Sequence, residues 1–211
     1  MNASRPEFQL SAKSGLIAGA VSANSALFAW RNPPTKANGD TNRLVQRIKR
    51  LEVVCLTLTG FPTAQEIALE ARYVSSFGTP AINYSGGTDL SDQTTTNAIR
   101  RIGPDTASNP KQVSVLQSGN VEIATTGALT NANTPVIATH PFFWAGNWEL
   151  AAAATVQQGR FAGIWTPSLS AQEAQKGLEL IPDTGFVITN PIALGSTGTV
   201  RMFVSVFFEE A

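Results

Sequence analysis

The sequence predicts an all-β fold, a two-sheet antiparallel sandwich with an extended N-terminal arm and a long central loop region. Three observations predict it. From residue 43 onward, segment after segment is rich in Val, Ile, Thr and Phe and either alternates apolar with polar residues or stays apolar for a strand's length. Clusters of Gly, Pro, Asn and Ser punctuate these segments. With 211 residues, 43% of them hydrophobic, the chain is long enough for one large β domain and apolar enough to fill its core. About seven to nine strands between turns suggest a jelly-roll arrangement.

Residues 1–42 read differently from the rest. Small residues (Ala18, Gly19, Ala20, Ser22, Ala23) lead to two aromatics, Phe28 and Trp30, then to the breakers Asn32-Pro33-Pro34 and Asn38-Gly39-Asp40. This pattern reads as an arm with one or two extended pieces and a linker, ahead of a sandwich domain at 43–211. Removing such an arm is expected to leave the sandwich folded. The arm would either cover its own domain or reach a neighbour.

Residues 50–59 are nearly apolar on both faces, as in a central strand. In residues 65–74 two rules conflict. Thr63 to Glu66 matches a helix capping box, whereas Ile67, Leu69, Ala71 and Tyr73 alternate with Glu66, Glu70 and Arg72. Strong strands on either side favour strand. Residues 75–113 read as loop, with a short helix at 94–102. Strands follow at 120–125, 148–156 and 160–166, then a helical turn at 170–176. Two closing strands, 185–194 and 199–209, are separated by a glycine-bearing stretch that reads as a hairpin connection, with Pro191 pushing the first towards a sheet edge or a bulge. In the last strand Val200, Met202, Val204, Val206 and Phe208 share one face. The opposite face, with Phe203 and Phe207 beside Arg201 and Ser205, is more apolar than a solvated face needs to be.

Charge narrows the function. Charged residues make up 14% of the chain, against ~25% in ordinary soluble domains, and fifteen acidic residues cancel fifteen basic ones. Such a surface favours association. Zero net charge argues against nucleic acid as the main partner, because coating a polyanion requires a basic excess. The lone Cys55, within Val53-Val54-Cys55-Leu56, reads as a small buried hydrophobe. No run reaches the ~18 apolar residues of a membrane helix, and the stretch from Gly15 to Ala20 is too short and glycine-rich for a signal sequence.

No catalytic constellation emerges. His140 is the one histidine and has no nucleophile motif near it in sequence. Glu66 and Glu70 share a strand face, but nothing singles them out as a glycosidase pair. Gly86-Gly87 lacks the lysine of a phosphate loop, and no Cys/His or Asp-rich cluster suggests a metal. The expectation is a protein without enzymatic activity, cofactor or metal. Two constellations suggest binding instead. Arg43, Arg47, Lys49 and Arg50 form a basic strip, read either as a dock for an acidic partner or as a solvated face. In the segment from His140 to Trp148, which reads as an aromatic-rich loop, Phe142, Phe143, Trp144 and Trp148 lie within nine residues and suit an interface, a core plug or a sugar-stacking site. Phe28 and Trp30 of the arm complete the set of interface candidates.

Several ordered short motifs then carry a resemblance. They are Arg50-Leu-Glu-Val-Val, Thr59-Gly-Phe, Ala64 to Leu69, Tyr84-Ser-Gly-Gly-Thr88, Ile123 to Leu129, Gly185-Phe-Val-Ile188 and Gly198 to Val204. Together, over roughly residues 45–211, the chain resembles small structural proteins encoded beside capsid genes in tailed bacteriophages and prophages. The resemblance implies a virion component made in the bacterial cytoplasm, of the head decoration or cement type. It also implies the major capsid protein and copies of the chain itself, as a homotrimer, for partners. A tail, baseplate or connector component and a carbohydrate-binding module are the alternatives.

Overall fold

The computed structural model describes residues 7–36, 39–59, 65–77, 84–91, 99–102, 119–131, 136–150, 160–166, 178–195 and 197–211, and among them there are strands and no helix. Two antiparallel sheets form the sandwich that the strand pattern predicts. The first runs β12 (Arg160–Trp165), β4 (Gln46–Thr59), β15 (Thr199–Glu210), β1 (Glu7–Lys13), β8 (Ile99–Ile102). Short β13 (Leu178–Leu180) pairs with the start of β4, and β2 (Ile17–Ala18) with the start of β15. The second runs β11 (Val136–Leu150), β5 (Gln65–Ser76), β14 (Gly185–Asn190), β3 (Ser25–Arg31), β9 (Val121–Ala124), β7 (Gly87–Asp89). A small ribbon pairs β6 (Tyr84–Ser85) with β10 (Thr130–Asn131).

Alternation sets the inner face of each strand. Leu51, Val53 and Cys55 of β4, the even-numbered residues Val200 to Phe208 of β15, and Phe8 and Leu10 of β1 are all buried. Burial pushes the Cys55 thiol up to about 12, as expected for a packing residue without reactive character. Aromatic rings then tie the sheets together. Trp30 lies edge-on to Phe208 at 4.8 Å and stacks with Phe186 at 6.2 Å, while Phe8 stacks on Phe208 at 5.4 Å. The buried indole Nε1–H donates to Gln46 Oε1 at 2.8 Å, so the polar edge of Trp30 is satisfied.

The expectation of a separate arm is corrected over residues 7–36. Here β1 lies between β15 and β8, pairing Glu7–Lys13 with Phe203–Glu209, and β3 lies between β14 and β9. Phe28 and Trp30 are 0% exposed, so they belong to the core and are not interface residues. The run of small residues at 19–24 connects β2 of the first sheet to β3 of the second. At Gly15, between β1 and β2, the backbone passes so close to the residue after β9 that a Cβ would meet the Thr125 carbonyl oxygen at 2.1 Å.

Three further expectations change. Residues 185–194 and 199–209 do not form a hairpin, because β14 belongs to the second sheet and β15 to the first. Pro191 does not mark an edge strand; β14 sits between β5 and β3, has a register shift against β3 between Ile188 and Thr189, and ends at Asn190, just before the proline. Residues 99–102 are strand β8 rather than the end of a helix. The expectation of strand over helix for 65–74 holds as β5. The helical turn at 170–176 and the end of the strand at 148–156 lie outside the described residues.

One buried charge stands out. Arg31, 2% exposed, ion-pairs with Asp183, and its guanidinium carbon lies 5.6 Å from the centre of the Phe77 ring. Its Nε and Nη1 atoms have no hydrogen-bond partner among the described residues. Asp183 has a positive φ of 70° in the turn before β14, and its second oxygen accepts from Ser76 Oγ at 3.1 Å.

Candidate assembly interface

The outer face of the first sheet carries the half-apolar surface that the last strand suggested. On β4 the outward residues are Arg50, Glu52, Val54 and Leu56; on β15 they are Arg201, Phe203, Ser205 and Phe207. Antiparallel register aligns them into rows across the sheet. Val54 stands opposite Phe203, which stands opposite Lys13, and Ile164 stands opposite Glu52, which stands opposite Ser205 and then Ser11. The Arg50 guanidinium carbon lies 5.3 Å from the centre of the Phe207 ring while the same side chain ion-pairs with Glu52. Val54, Leu56, Phe203 and Phe207 are half-buried, and Ile164 is 62% exposed. An exposed large aliphatic beside a contiguous half-apolar patch is the surface feature that marks a contact site.

The basic strip divides. Arg47 pairs with Glu179 at 2.9 Å and with Glu209 at 3.3 Å, and Lys49 pairs with Glu209 at 3.3 Å. With Arg50 held by Glu52, three of the four cations are partnered within the chain. A register shift between Phe207 and Phe208 lets the ladder skip Lys49, so Lys49 and Arg50 are consecutive yet both half-exposed. Arg43 alone of the four is exposed and has no ion pair among the described residues.

The aromatic segment is a strand rather than a loop. Phe142 stands opposite Arg72 and Trp144 opposite Ala71, so Phe143 is the extra residue of a bulge. Its ring lies edge-on to Trp165 at 5.0 Å and to Phe186 at 5.7 Å, bridging β11, β12 and β14. Trp144 is 6% exposed and belongs to the same core. Phe143 and Trp144 therefore plug the sandwich and offer no sugar platform. For Phe142 and Trp148 the structure describes only backbone register, opposite Arg72 and Ile67.

Elsewhere, β9 and β7 bring two carboxylates side by side. Glu122 stands opposite Asp89 and is 7% exposed. Burial first, and then the neighbouring Asp89 charge, push the Glu122 carboxyl up to about 7. Asp89 is held by Ser91 N–H at 2.9 Å and Gly119 N–H at 2.6 Å. A raised acid pKa means that the folded state keeps a proton that the unfolded chain has released. This stabilisation is full below about pH 4.5 and is lost as pH rises through 7, a change on the order of 3 kcal/mol. Urea unfolding across this range is expected to show Glu122→Gln equal to the parent near pH 4.5 and more stable above pH 7. Parallel curves at all pH values would contradict the burial of this charge.

Among the described residues no cluster of three metal-ligating side chains is present, and no helix is long and apolar enough to cross a membrane. Comparison with protein-family models, curated proteins and solved structures finds nothing significantly similar to this chain.

Proposed function

We propose that the chain is a virion structural protein that acts without catalysis, decorating and stabilising a bacteriophage head. The outer face of its first sheet would seat on the major capsid protein, and its copies would associate as homotrimers. The observation that carries this reading is the patch of Ile164, Val54, Phe203 and Phe207 across neighbouring rows of that face, together with the low-charge, net-neutral composition. A cement protein adds contact area to a shell, and a flat, rigid sheet with an apolar centre and a few partnered charges supplies such area. The resemblance of the ordered short motifs to those of phage structural proteins supports the same reading.

Quantitative mass spectrometry of purified particles tests the proposal, with copy number expected to scale with the capsid subunit. Ile164→Asp, at an exposed position, is expected to keep the fold and weaken particle binding by about tenfold or more. A handful of copies located in the tail would favour a tail or baseplate component. Glycan binding that disappears in Trp148→Ala would favour the carbohydrate module. Either result would overturn the head assignment.

A further inference from the structure

A groove of about 420 Å³ opens on the outer face of the second sheet, at the β5–β11 pair. Its floor is made of Ala68, Ala145 and Gly146, small enough to leave the sheet surface accessible. Pro191 and Ile192 form a wall, and Glu66 and Glu70 supply two carboxylates on the same strand face. Glu66 Oε1 accepts from Asn147 Nδ2 at 2.9 Å, and Glu70 Oε2 accepts from Arg72. The other oxygen of each has no hydrogen bond among the described residues. The groove is thus an acidic slot with an aliphatic wall, suited to a cation on a long apolar stem.

The same chain presents such a cation. Arg43 is exposed, and the backbone around it is clamped. Asn42, 3% exposed, donates from Nδ2 to Asn32 Oδ1 at 2.9 Å and to Pro33 O at 2.7 Å, while its Oδ1 accepts from Leu44 N–H at 2.9 Å. Asn32 in turn donates to Leu44 O and Leu180 O. A buried, satisfied amide network under an exposed arginine pre-organises it, which lowers the ordering cost of binding.

We propose that the Glu66–Glu70 groove receives Arg43 of a second copy of this chain. The argument for that occupant is charge complementarity within a chain of zero formal charge, whose strip leaves one unpaired arginine and whose groove leaves two carboxylate oxygens unfilled. Donor and acceptor sites differ, so the contact is heterologous and builds a closed ring such as a trimer when its rotation closes. The proposal rests on the assembly reading and supplies its self-contact.

Sedimentation velocity over a concentration series, at low and high salt, tests it. The wild-type chain is expected to self-associate, more weakly in high salt. Arg43→Glu and Glu66→Arg should each weaken association by about tenfold or more, and combining them should restore it. Both positions are exposed, so unchanged melting transitions would show that the variants fold. A wild-type chain that stays monomeric, single reversals that associate like wild type, or a combined variant no tighter than the singles overturns the contact. Particle incorporation separates this from the head-decoration reading. A chain that self-associates through this contact yet never enters particles overturns only that reading, and one that decorates particles as a monomer overturns only the contact.

Discussion

A chain lacking residues 1–42 is expected to have no cooperative unfolding transition. The cut removes β1 from between β15 and β8, and β3 from between β14 and β9, opening both sheets in their interiors. It also removes Phe8, Leu10, Ile17, Leu27, Phe28 and Trp30, each at most 3% exposed. Burying side chains of this size stabilises by about 1.5–3 kcal/mol each, so their combined loss, about 9–18 kcal/mol, is as large as the ~5–15 kcal/mol net stability of an ordinary domain. Near-UV circular dichroism and a thermal melt of the truncated chain read this directly. A sharp melt with native near-UV signal would mean that these residues are an appendage after all.

Asp183→Asn is expected to destabilise the protein by about 3 kcal/mol. Arg31 is buried, and among the described residues Asp183 is its one ion-pair partner and two of its guanidinium nitrogens already lack hydrogen bonds. Asparagine keeps the shape of Asp183 and tolerates its positive φ, so the substitution isolates the charge from backbone strain. Removing it leaves an uncompensated cation beneath Phe77. Arg31→Met in the same background is expected to recover much of the loss, because an apolar side chain needs no counter-charge there. Equilibrium urea unfolding of the two single variants and the pair completes a double-mutant cycle. A neutral Asp183→Asn would show that the guanidinium has found other partners.

How far the sequence could be read depended on whether a residue's neighbours were close along the chain. The period-two pattern in Ile67, Leu69, Ala71 and in Val200 to Phe208 was legible because a strand's two faces meet different environments. The odd apolarity of Phe203 and Phe207 was visible for the same reason. Ile164 and Val54 could not be joined to them in advance, since pairing between strands over a hundred residues apart is set by register. The segment from His140 to Trp148 looked like a loop because a bulge breaks the alternation at Phe143, placing consecutive aromatics in one core. Charges were the hardest to judge. Arg47 and Lys49 looked free until Glu179 and Glu209 were brought to them, while Glu66 and Glu70 gained their groove from Pro191 and Ile192.

The all-β class, the inner faces of the long strands and the buried character of Cys55 could be read from the chain alone, because these follow from local periodicity and hydrophobicity. It took the folded arrangement to show that β1, β2 and β3 within residues 7–31 are strands of the two sheets rather than an arm, and that the last two strands belong to opposite sheets. Strand pairing joins residues by backbone hydrogen bonds that carry no side-chain signature, so a short, small-residue strand inside a sheet and a free extended segment read alike until their partners are in place.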